Sequence, residues 1–324
     1  LDPFCVYYGG GVSVGDVGRN APNQVRNCSD VLLDNVWIEN GRGEEGGAFH
    51  SGCDRTLARD SVFTRSYGNE EGGALALYPS WRYGASLYTP RQPRFALQRV
   101  RVVGNRNRHE TSGVAQYGGL LDVVDSYFAY NYAGINDGAA IACWGEACAI
   151  RRTTFRANQG DWSAAFAGGS DHVTYVADVD VLDHNASESG RCWHSPVVSL
   201  YGRSVVSGLY VARNTLCNSD GSSDGLYGIE LWRGHVTFEG ENCACDNWPR
   251  DIYTMNATTH LNVTWATGAV LVTSAEARDG GGGLRDFGDA VHYNCSSATA
   301  RAVCRRRAAH TVPPRAHPLR DGTT

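Results

Sequence analysis

The chain contains no lysine, and all 29 of its basic residues are arginine. Charged residues make up only 19% of the sequence, and the net charge is −5. This balance excludes a disordered polyelectrolyte, and the 42% of hydrophobic residues suffices for a sizeable core. The one dense basic run is Arg305, Arg306 and Arg307, which no aromatic-and-basic face accompanies. We therefore expect no nucleic-acid partner.

A long apolar run is also lacking. No stretch approaches the roughly 18 apolar residues that a membrane-spanning helix needs, so we expect no membrane span. The first residue is Leu1 rather than Met, and no basic-then-apolar leader precedes Asp2, Pro3 and Phe4. A processed chain or an excised fragment is expected.

Zinc-ligand spacing is absent, although the chain has 11 cysteines. Cys243 and Cys245 stand too close together for the usual finger or ribbon, so disulfides in an oxidising compartment are expected. Five Asn-x-Ser/Thr sequons agree with that compartment, and they begin at Asn27, Asn185, Asn256, Asn262 and Asn294. These features predict an extracellular or cell-surface glycoprotein.

What is present is a repeat of about 27 residues. An asparagine register, with one serine, places equivalent positions at Asn40, Ser66, Asn105, Asn131, Asn158, Asn185, Asn214 and Asn242. Three residues earlier runs a column that is apolar except in the last coil: Trp37, Phe63, Val102, Phe128, Phe155, Leu182, Val211 and Glu239. These two columns predict stacked inward asparagines beside a hydrophobic core.

The segments around the columns are short and alternate as half-buried strands do. A unit of this length without a helix is too short for a βαβ layer and for a propeller blade. We therefore predict an all-β fold, a right-handed parallel β-helix of about 8–10 coils. Its expected divisions are an N-terminal cap (1–27), the β-helix (28–275), a C-terminal cap with a Gly-rich loop (276–304) and a basic, Pro-containing tail (305–324).

Two motifs carry a resemblance to a known repeat family. Phe128 to Asn131 and Phe155 to Asn158 resemble the FxxN element of polymorphic-outer-membrane-protein-type β-helix repeats, and Gly46-Gly47-Ala48 and Gly72-Gly73-Ala74 resemble their GGA element. The likeness extends from residue 28 to about 270 and departs from the pattern at Ser66, at Glu239 and in the later coils, which lose GGA. Adhesins, surface proteins and carbohydrate-active enzymes share such repeats, so the resemblance implies the fold rather than one activity.

Two further patterns follow the register. Six residues before the asparagine column stand Asp34, Asp60, Arg99, Asp125 and Arg152, which predict an outward column of exposed ion pairs. Cysteine spacing predicts the disulfides Cys28–Cys53, Cys192–Cys217, Cys143–Cys148 and Cys295–Cys304. Asn185 belongs both to the inward column and to a sequon, and we favour the inward position.

Catalytic motifs of β-helix enzymes are not matched. The chain has no Asp-Asp pair and no Gly-His-Gly of the polygalacturonase type. The stretch from Asn35 to Asn40 is similar to the VWIDH of pectate-lyase-like enzymes but lacks the His, and the RxPxxR-like stretch from Arg91 ends in Ala96. Whether the chain is an enzyme is left open, and no catalytic residue is assigned.

Two other groups are candidates for binding. Asp178 and Asp180, near Asp183 and His184, could hold Ca²⁺ on one strand face or form a solvated face; no other cofactor is indicated. The 39-residue interval between the second and third coils contains an insertion whose aromatic residues could stack on sugars or cover the helix flank: Tyr78, Trp81, Tyr83 and Tyr88.

These observations favour a structural or interaction module of an extracellular, glycosylated surface or filamentous assembly. Its expected partners are copies of itself or other extracellular structural proteins, together with glycans. The alternatives are a carbohydrate-binding β-helix and a polysaccharide lyase or hydrolase.

Overall fold

The fold is an all-β parallel β-solenoid with a repeat of about 27 residues, as predicted, and it has about seven turns. The structure, a computed structural model, describes residues 11–14, 28–78, 93–134, 140–160, 163–168, 173–184, 197–215, 228–247, 252–254, 261–273 and 291–294, and residues 302 and 304. No helix in this part of the chain has the length and apolar character needed to cross a bilayer.

Each turn places its strands on up to four faces, which we call A to D. Face A carries the longer strands, which are β2 (Asp30–Asp34), β6 (Arg55–Arg59), β10 (Arg94–Gln98), β14 (Leu120–Val124), β18 (Ala147–Arg151) and β26 (Leu261–Trp265). Face B carries the next strands, which are β3 (Trp37–Glu39), β7 (Val62–Thr64), β11 (Arg101–Val103), β15 (Tyr127–Ala129), β19 (Thr154–Arg156), β24 (Glu241–Cys245), β27 (Val270–Thr273) and β28 (Val291–Asn294).

Faces C and D complete the turn. Face C is a separate four-stranded sheet, made of β4 (Arg42–Glu45), β8 (Tyr67–Glu71), β12 (Arg106–Asn107) and β16 (Tyr132–Ala133). Face D carries β1 (Val12–Val14), β5 (Phe49–Ser51), β9 (Leu75–Leu77), β13 (Val114–Gln116), β17 (Ile141–Cys143), β20 (Phe166–Gly168) and β25 (Ile252–Thr254). Three long strands continue over more than one face: β21 (Val173–Leu182), β22 (Val198–Ala212) and β23 (Ile229–Glu239).

The core is a set of columns, because every pairing between turns is parallel and in register. On face A, Leu97, Val123 and Ile150 are direct neighbours on successive turns, and all three are fully buried. On face B, the rings of Phe128 and Phe155 stack with centroids 5.1 Å apart. Strands spaced about 4.8 Å apart bring equivalent side chains into contact, so the repeat in sequence becomes continuous apolar contact along the axis.

Two corners in each turn have left-handed backbone, with φ between 46° and 68°. The first corner precedes face B and consists of Asn35, Asp60, Arg99, Asp125, Arg152, Asp178, Gly208 and Gly240. The second corner follows face B and consists of Asn40, Arg65, Gly104, Tyr130, Ala157, Asp183, Arg213 and Asp246. Asn, Asp and Gly adopt this conformation more readily than other residues, and they hold ten of these sixteen positions.

Directly after the second corner runs an inward polar column, which we call the amide ladder: Gly41, Ser66, Asn105, Asn131, Asn158, His184, Asn214 and Asn247. Asn131 is typical of it. Its Oδ1 accepts hydrogen bonds from the backbone N–H and the Nδ2 of Asn105, at 3.1 and 3.0 Å, and its Nδ2 donates to the carbonyl of Val102 and to Oδ1 of Asn158. The ladder therefore satisfies backbone groups that the buried corner would otherwise leave unpaired.

Two of the predicted ladder members were wrong, and the position assigned to a third is held by its neighbour in the sequence. Asn40 occupies the left-handed second corner, and Gly41 takes the ladder position. His184 takes the position assigned to Asn185, which itself lies outside the described residues. Asn242 is buried on a neighbouring column, where its Oδ1 accepts from the N–H of Leu209, and Asn247 is the ladder residue.

In the same three turns, the residue that occupies the apolar column also differs from the predicted one. Ile38, not Trp37, pairs with Phe63, and Trp37 is 44% exposed. Val181 rather than Leu182 pairs with Phe155, and Ala244 rather than Glu239 pairs with Val211. An apolar residue three positions before the ladder therefore occurs in these turns as well.

The GGA element has a steric origin. Gly46 and Gly72 have φ of 65° and 63°, and an added Cβ there would overlap the carbonyl oxygens of Phe49 and Leu75. Gly47 has backbone of the next turn against its Cα, so a Cβ would overlap the carbonyl oxygen of Gly73. The first glycine supplies the left-handed turn and the second allows close approach between turns.

The outward charge column is present at the first corner. Arg99 and Arg152 each make two hydrogen bonds to one carboxylate, Asp60 and Asp125 respectively, with Nε–Oδ1 distances of 2.7 Å. The bonds from Arg152 lower the pKa of Asp125. Asp34 stands one residue before the corner and pairs with Arg59 instead, so its assignment to this column was wrong.

Disulfides join neighbouring parts of the solenoid. The structure joins Cys28 to Cys53 and Cys143 to Cys148, which are two of the predicted pairs. Cys304 is joined to Cys243 rather than to Cys295, because Cys304 packs beside Cys243 of face B. Cys192, Cys217 and Cys295 lie outside the described residues.

Candidate functional site

Face C carries an alternating basic and aromatic column on its outward side. Arg42, Tyr67, Arg106 and Tyr132 are in direct register on four successive turns. Arg42, Tyr67 and Arg106 are exposed, and Tyr132 is half-buried. We call these four residues the Arg–Tyr column.

Between this column and the second corner lies an open cleft of about 580 Å³. It is lined by Asn40, Arg42, Arg65, Ser66, Tyr67, Gly104 and Arg106. Gly104 contributes no side chain, and the nearest atom to a Cβ added there would be Cγ of Arg65, 3.9 Å away. The cleft therefore exists partly because the second corner carries glycine in this turn.

The cleft has excess positive charge. Arg65 forms an ion pair with Glu39, whereas within the described part of the chain neither Arg42 nor Arg106 has an acidic partner within 4.0 Å. Two guanidinium groups on alternate turns, with a tyrosine ring between them, can bind planar anions by paired hydrogen bonds and offer a ring face to a sugar.

The sequence did not reveal this cleft. Its column members stand 25, 39 and 26 residues apart, so no local run of basic and aromatic residues marks them. Adding the repeat interval to Arg42 would have found Tyr67, Arg106 and Tyr132, provided that the insertion between the second and third turns was recognised.

The aromatic insertion was proposed instead as a binding surface, and one of its four residues is described. Tyr78 is only 1% exposed and stacks on Tyr117, with ring centroids 4.9 Å apart. Its assignment to an exposed sugar-binding surface was wrong, because it follows β9 directly and continues a column of face D. Trp81, Tyr83 and Tyr88 lie outside the described residues.

The proposed calcium residues are not brought together with a third ligand in the described part of the chain. Asp178 is exposed at the first corner, where its charge raises the pKa of Arg152 as a contribution secondary to Asp125, and Asp180 lies on face B beyond that corner. The group of three potential ligands that the described residues do form is Cys243, Cys245 and Cys304. All three are disulfide-bonded, so their sulfurs are not available as thiolates.

Two groups of buried ionisable side chains lie on face D. Ser13 Oγ is 3.4 Å from Nδ1 of His50, whose Nε2 is 3.9 Å from Glu45; burial lowers the pKa of His50 to about 4. These distances are longer than those of a hydrogen-bonded Ser–His–carboxylate triad. Elsewhere Ser163 donates to Ser199, which donates to Glu230, and burial raises the pKa of Glu230 to about 7.

A different surface lies on the first described turn. It carries three of the six large hydrophobic side chains that the described residues expose: Val12 (40%), Leu32 (57%) and Trp37 (44%). Within the same residues, β2 and β3 pair only with strands of the second turn. With no other described strand against them, their other edges present backbone groups that another strand can pair with.

One predicted glycosylation site has a described side chain. Asn262 is exposed on β26, which is the environment that a glycan requires. Asn27, Asn185 and Asn256 lie outside the described residues, and Asn294 is described only as part of β28. Glycosylation at all five stays a prediction.

Comparison with known proteins adds no relative: no family model, no curated protein and no solved structure matches this chain.

Proposed function

We propose that this chain is a structural and interaction module of an extracellular, glycosylated assembly, in which the first turn binds a second copy of the chain. The observation that carries this proposal is the combination, on that turn, of exposed Leu32 and Trp37 with strand edges that pair on one side within the described part of the chain. Apolar side chains and an open edge together are what strand-to-strand association buries.

The remainder of the molecule suits such a module. In-register columns and disulfides make a rigid rod, and exposed ion pairs such as Arg152–Asp125 keep its flanks polar. The repeat is of the polymorphic-outer-membrane-protein type in this proposal, since Phe128 and Asn131 have the core and ladder roles that FxxN implies.

Sedimentation velocity and electron microscopy of the purified, disulfide-bonded protein test the proposal. We expect assembly that increases with protein concentration and is lost in the double variant Leu32→Ser/Trp37→Ser. The control is Tyr175→Ser, which removes a 49% exposed side chain from a later turn and should leave assembly unchanged. Single particles at all concentrations, or equal assembly by both variants, would contradict the proposal.

A further inference from the structure

We infer that the cleft beside the Arg–Tyr column binds an acidic polysaccharide, with the carboxylate or sulfate groups of the chain on Arg42 and Arg106 and a sugar ring on Tyr67. This site lies on face C, whereas Leu32 and Trp37 lie on faces A and B. Binding of the polysaccharide does not require assembly.

The first argument is charge. The protein is acidic overall, with a net charge of −5, yet the cleft has two guanidinium groups without an acidic partner among the described residues. Elsewhere on the solenoid arginines are commonly paired with the carboxylates of neighbouring turns, as Arg99 is with Asp60 and Arg152 with Asp125. Unpaired Arg42 and Arg106 beside a cleft are therefore available to an anionic ligand.

The second argument is spacing. Turns follow at about 4.8 Å, so Arg42 and Arg106, two turns apart, are separated by roughly 10 Å along the axis. An extended pyranose chain advances by about one turn of the solenoid per sugar. A polymer with a charge on every second sugar would thus meet Arg42 and Arg106 in turn.

The third argument concerns the ring. Tyr67 stands between the two arginines, lines the cleft and is 38% exposed. Aromatic faces bind the C–H face of sugars, and this contact requires no charge on the sugar that makes it. The column presents a cation, an aromatic ring and a second cation in that order. This order therefore matches a polymer in which charged and neutral sugars alternate.

A sparsely charged polymer fits better than a nucleic acid. A polyanion with a phosphate on every nucleotide would extend beyond the cleft over a protein of net negative charge, where it is repelled. Carboxylates or sulfates on alternate sugars concentrate the attraction at the two arginines instead.

Isothermal titration calorimetry tests the site. The first probe is an oligosaccharide with a uronic acid at every second sugar, long enough to span four turns, about 14 Å. The second is an oligosaccharide of equal length with a sulfate at every second sugar, and the third is the neutral methyl ester of the first. We expect saturable binding of one or both acidic probes, weakening as salt is raised, and at least about tenfold weaker binding of the ester. The stronger acidic probe identifies the natural charged group.

Variants locate the site. Arg42→Gln/Arg106→Gln should lower the affinity about tenfold or more, whereas Arg94→Gln/Arg203→Gln, which removes the same charge from exposed positions of face A, should change it less than about twofold. Gly104→Asn should also weaken binding, because it fills the cleft with a residue that the same corner already accepts at Asn40.

Three results would overturn the inference. One is equal binding of the acidic probe and its neutral ester. Another is equal loss of affinity in the face C and face A double variants. The third is tighter binding of single-stranded DNA of matching length, which would assign the cleft to nucleic acid.

Discussion

Each asparagine of the amide ladder both accepts and donates hydrogen bonds through its side chain. Asn131 does this with one amide, and an amide has no charge to lose as pH changes. His184 differs from the asparagines, because its imidazole can take up a proton. Its Nδ1 lies 3.0 Å from the backbone nitrogen of Asn158, and burial lowers its pKa to about 4.

Replacing that histidine should make the fold less sensitive to acid. A folded-state pKa of about 4 against an ordinary 6.5 means that the unfolded chain takes up the proton first as pH falls. Its contribution to stability is therefore complete above pH 6.5 and is lost between pH 6.5 and 4, by roughly 3 kcal/mol at most. We expect His184→Asn to retain the ladder bonds and to flatten this loss, measured by urea unfolding at pH 7.5 and 4.5.

The matched control is His109→Gln, a half-buried histidine outside the ladder. This variant controls for the loss of one imidazole away from the ladder. His50, whose pKa burial also lowers to about 4, keeps part of the acid sensitivity in both variants. An unchanged difference between the two pH values in His184→Asn would show that the ladder histidine does not contribute.

At this scale the sequence predicted the presence of the ladder better than its members. Asparagine is favoured both at an inward amide position and at a left-handed corner, and the two positions are adjacent in the chain. Asn40 could therefore be mistaken for a ladder residue, and Gly41 and His184 carry no amide that would mark them. The φ angles and the hydrogen bonds separate the two classes, whereas the residue type does not.

Within a turn, the glycine corner that leads into face D is crowded by backbone, as at Gly72. Gly72 and Gly268 are both left-handed, with φ of 63° and 79°, but they differ in crowding. A Cβ at Gly72 would overlap the carbonyl oxygen of Leu75, whereas one at Gly268 would have no atom within 4 Å. The pair therefore separates the strain of a left-handed alanine from the cost of overlap.

We expect Gly268→Ala to destabilise by about 1 kcal/mol, which is the cost of the left-handed conformation alone. Gly72→Ala should cost about 1–3 kcal/mol more, because the backbone of face D must move. Chemical unfolding of both variants measures the difference. Equal losses would mean that the turn at Gly72 relaxes without cost.

The strand pattern was predictable because alternation and repeat length come from the same columns. The short strands of face C were not, since β12 and β16 contain only two residues each and no alternation can show in them. The cleft on that face was missed for this reason. Its residues acquire a common position only after the turns are stacked.

For the molecule as a whole, contacts are made almost entirely between adjacent turns, so a disulfide should stabilise mainly the turns that it joins. Cys28–Cys53 closes an interval of 25 residues and Cys143–Cys148 one of 5. In the chain-entropy description, closing these two loops stabilises the folded protein by roughly 3.5 and 2 kcal/mol, respectively.

We expect Cys28→Ser/Cys53→Ser to lose more stability than Cys143→Ser/Cys148→Ser, and we expect the loss to be confined to the turns that the disulfide joins. Amide hydrogen exchange should quicken in β2 and β6 while the strands from β15 onward keep their protection. Cys143→Ser/Cys148→Ser is the control, with a smaller loss centred on β17 and β18. Uniform loss of protection along the chain would show that the solenoid unfolds as one cooperative unit instead.

The fold at this scale was predictable because one repeat implies the next, but the disulfide at the last turns was not. Cys304 lies outside the recognisable repeat, and its bond to Cys243 bridges 61 residues. No period in the sequence relates these two positions. Only the position of Cys304 against face B in the folded protein brings them together.

The amide ladder also has a direction. From Gly41 to Asn214, each backbone N–H donates to the side chain of the following turn. Two copies that extended this ladder through an end-to-end contact could not be related by a two-fold axis, since identical ends would present donors to donors or acceptors to acceptors. They would have to stack head to tail, and repetition of such a contact builds an open, polar filament or a ring rather than a closed dimer.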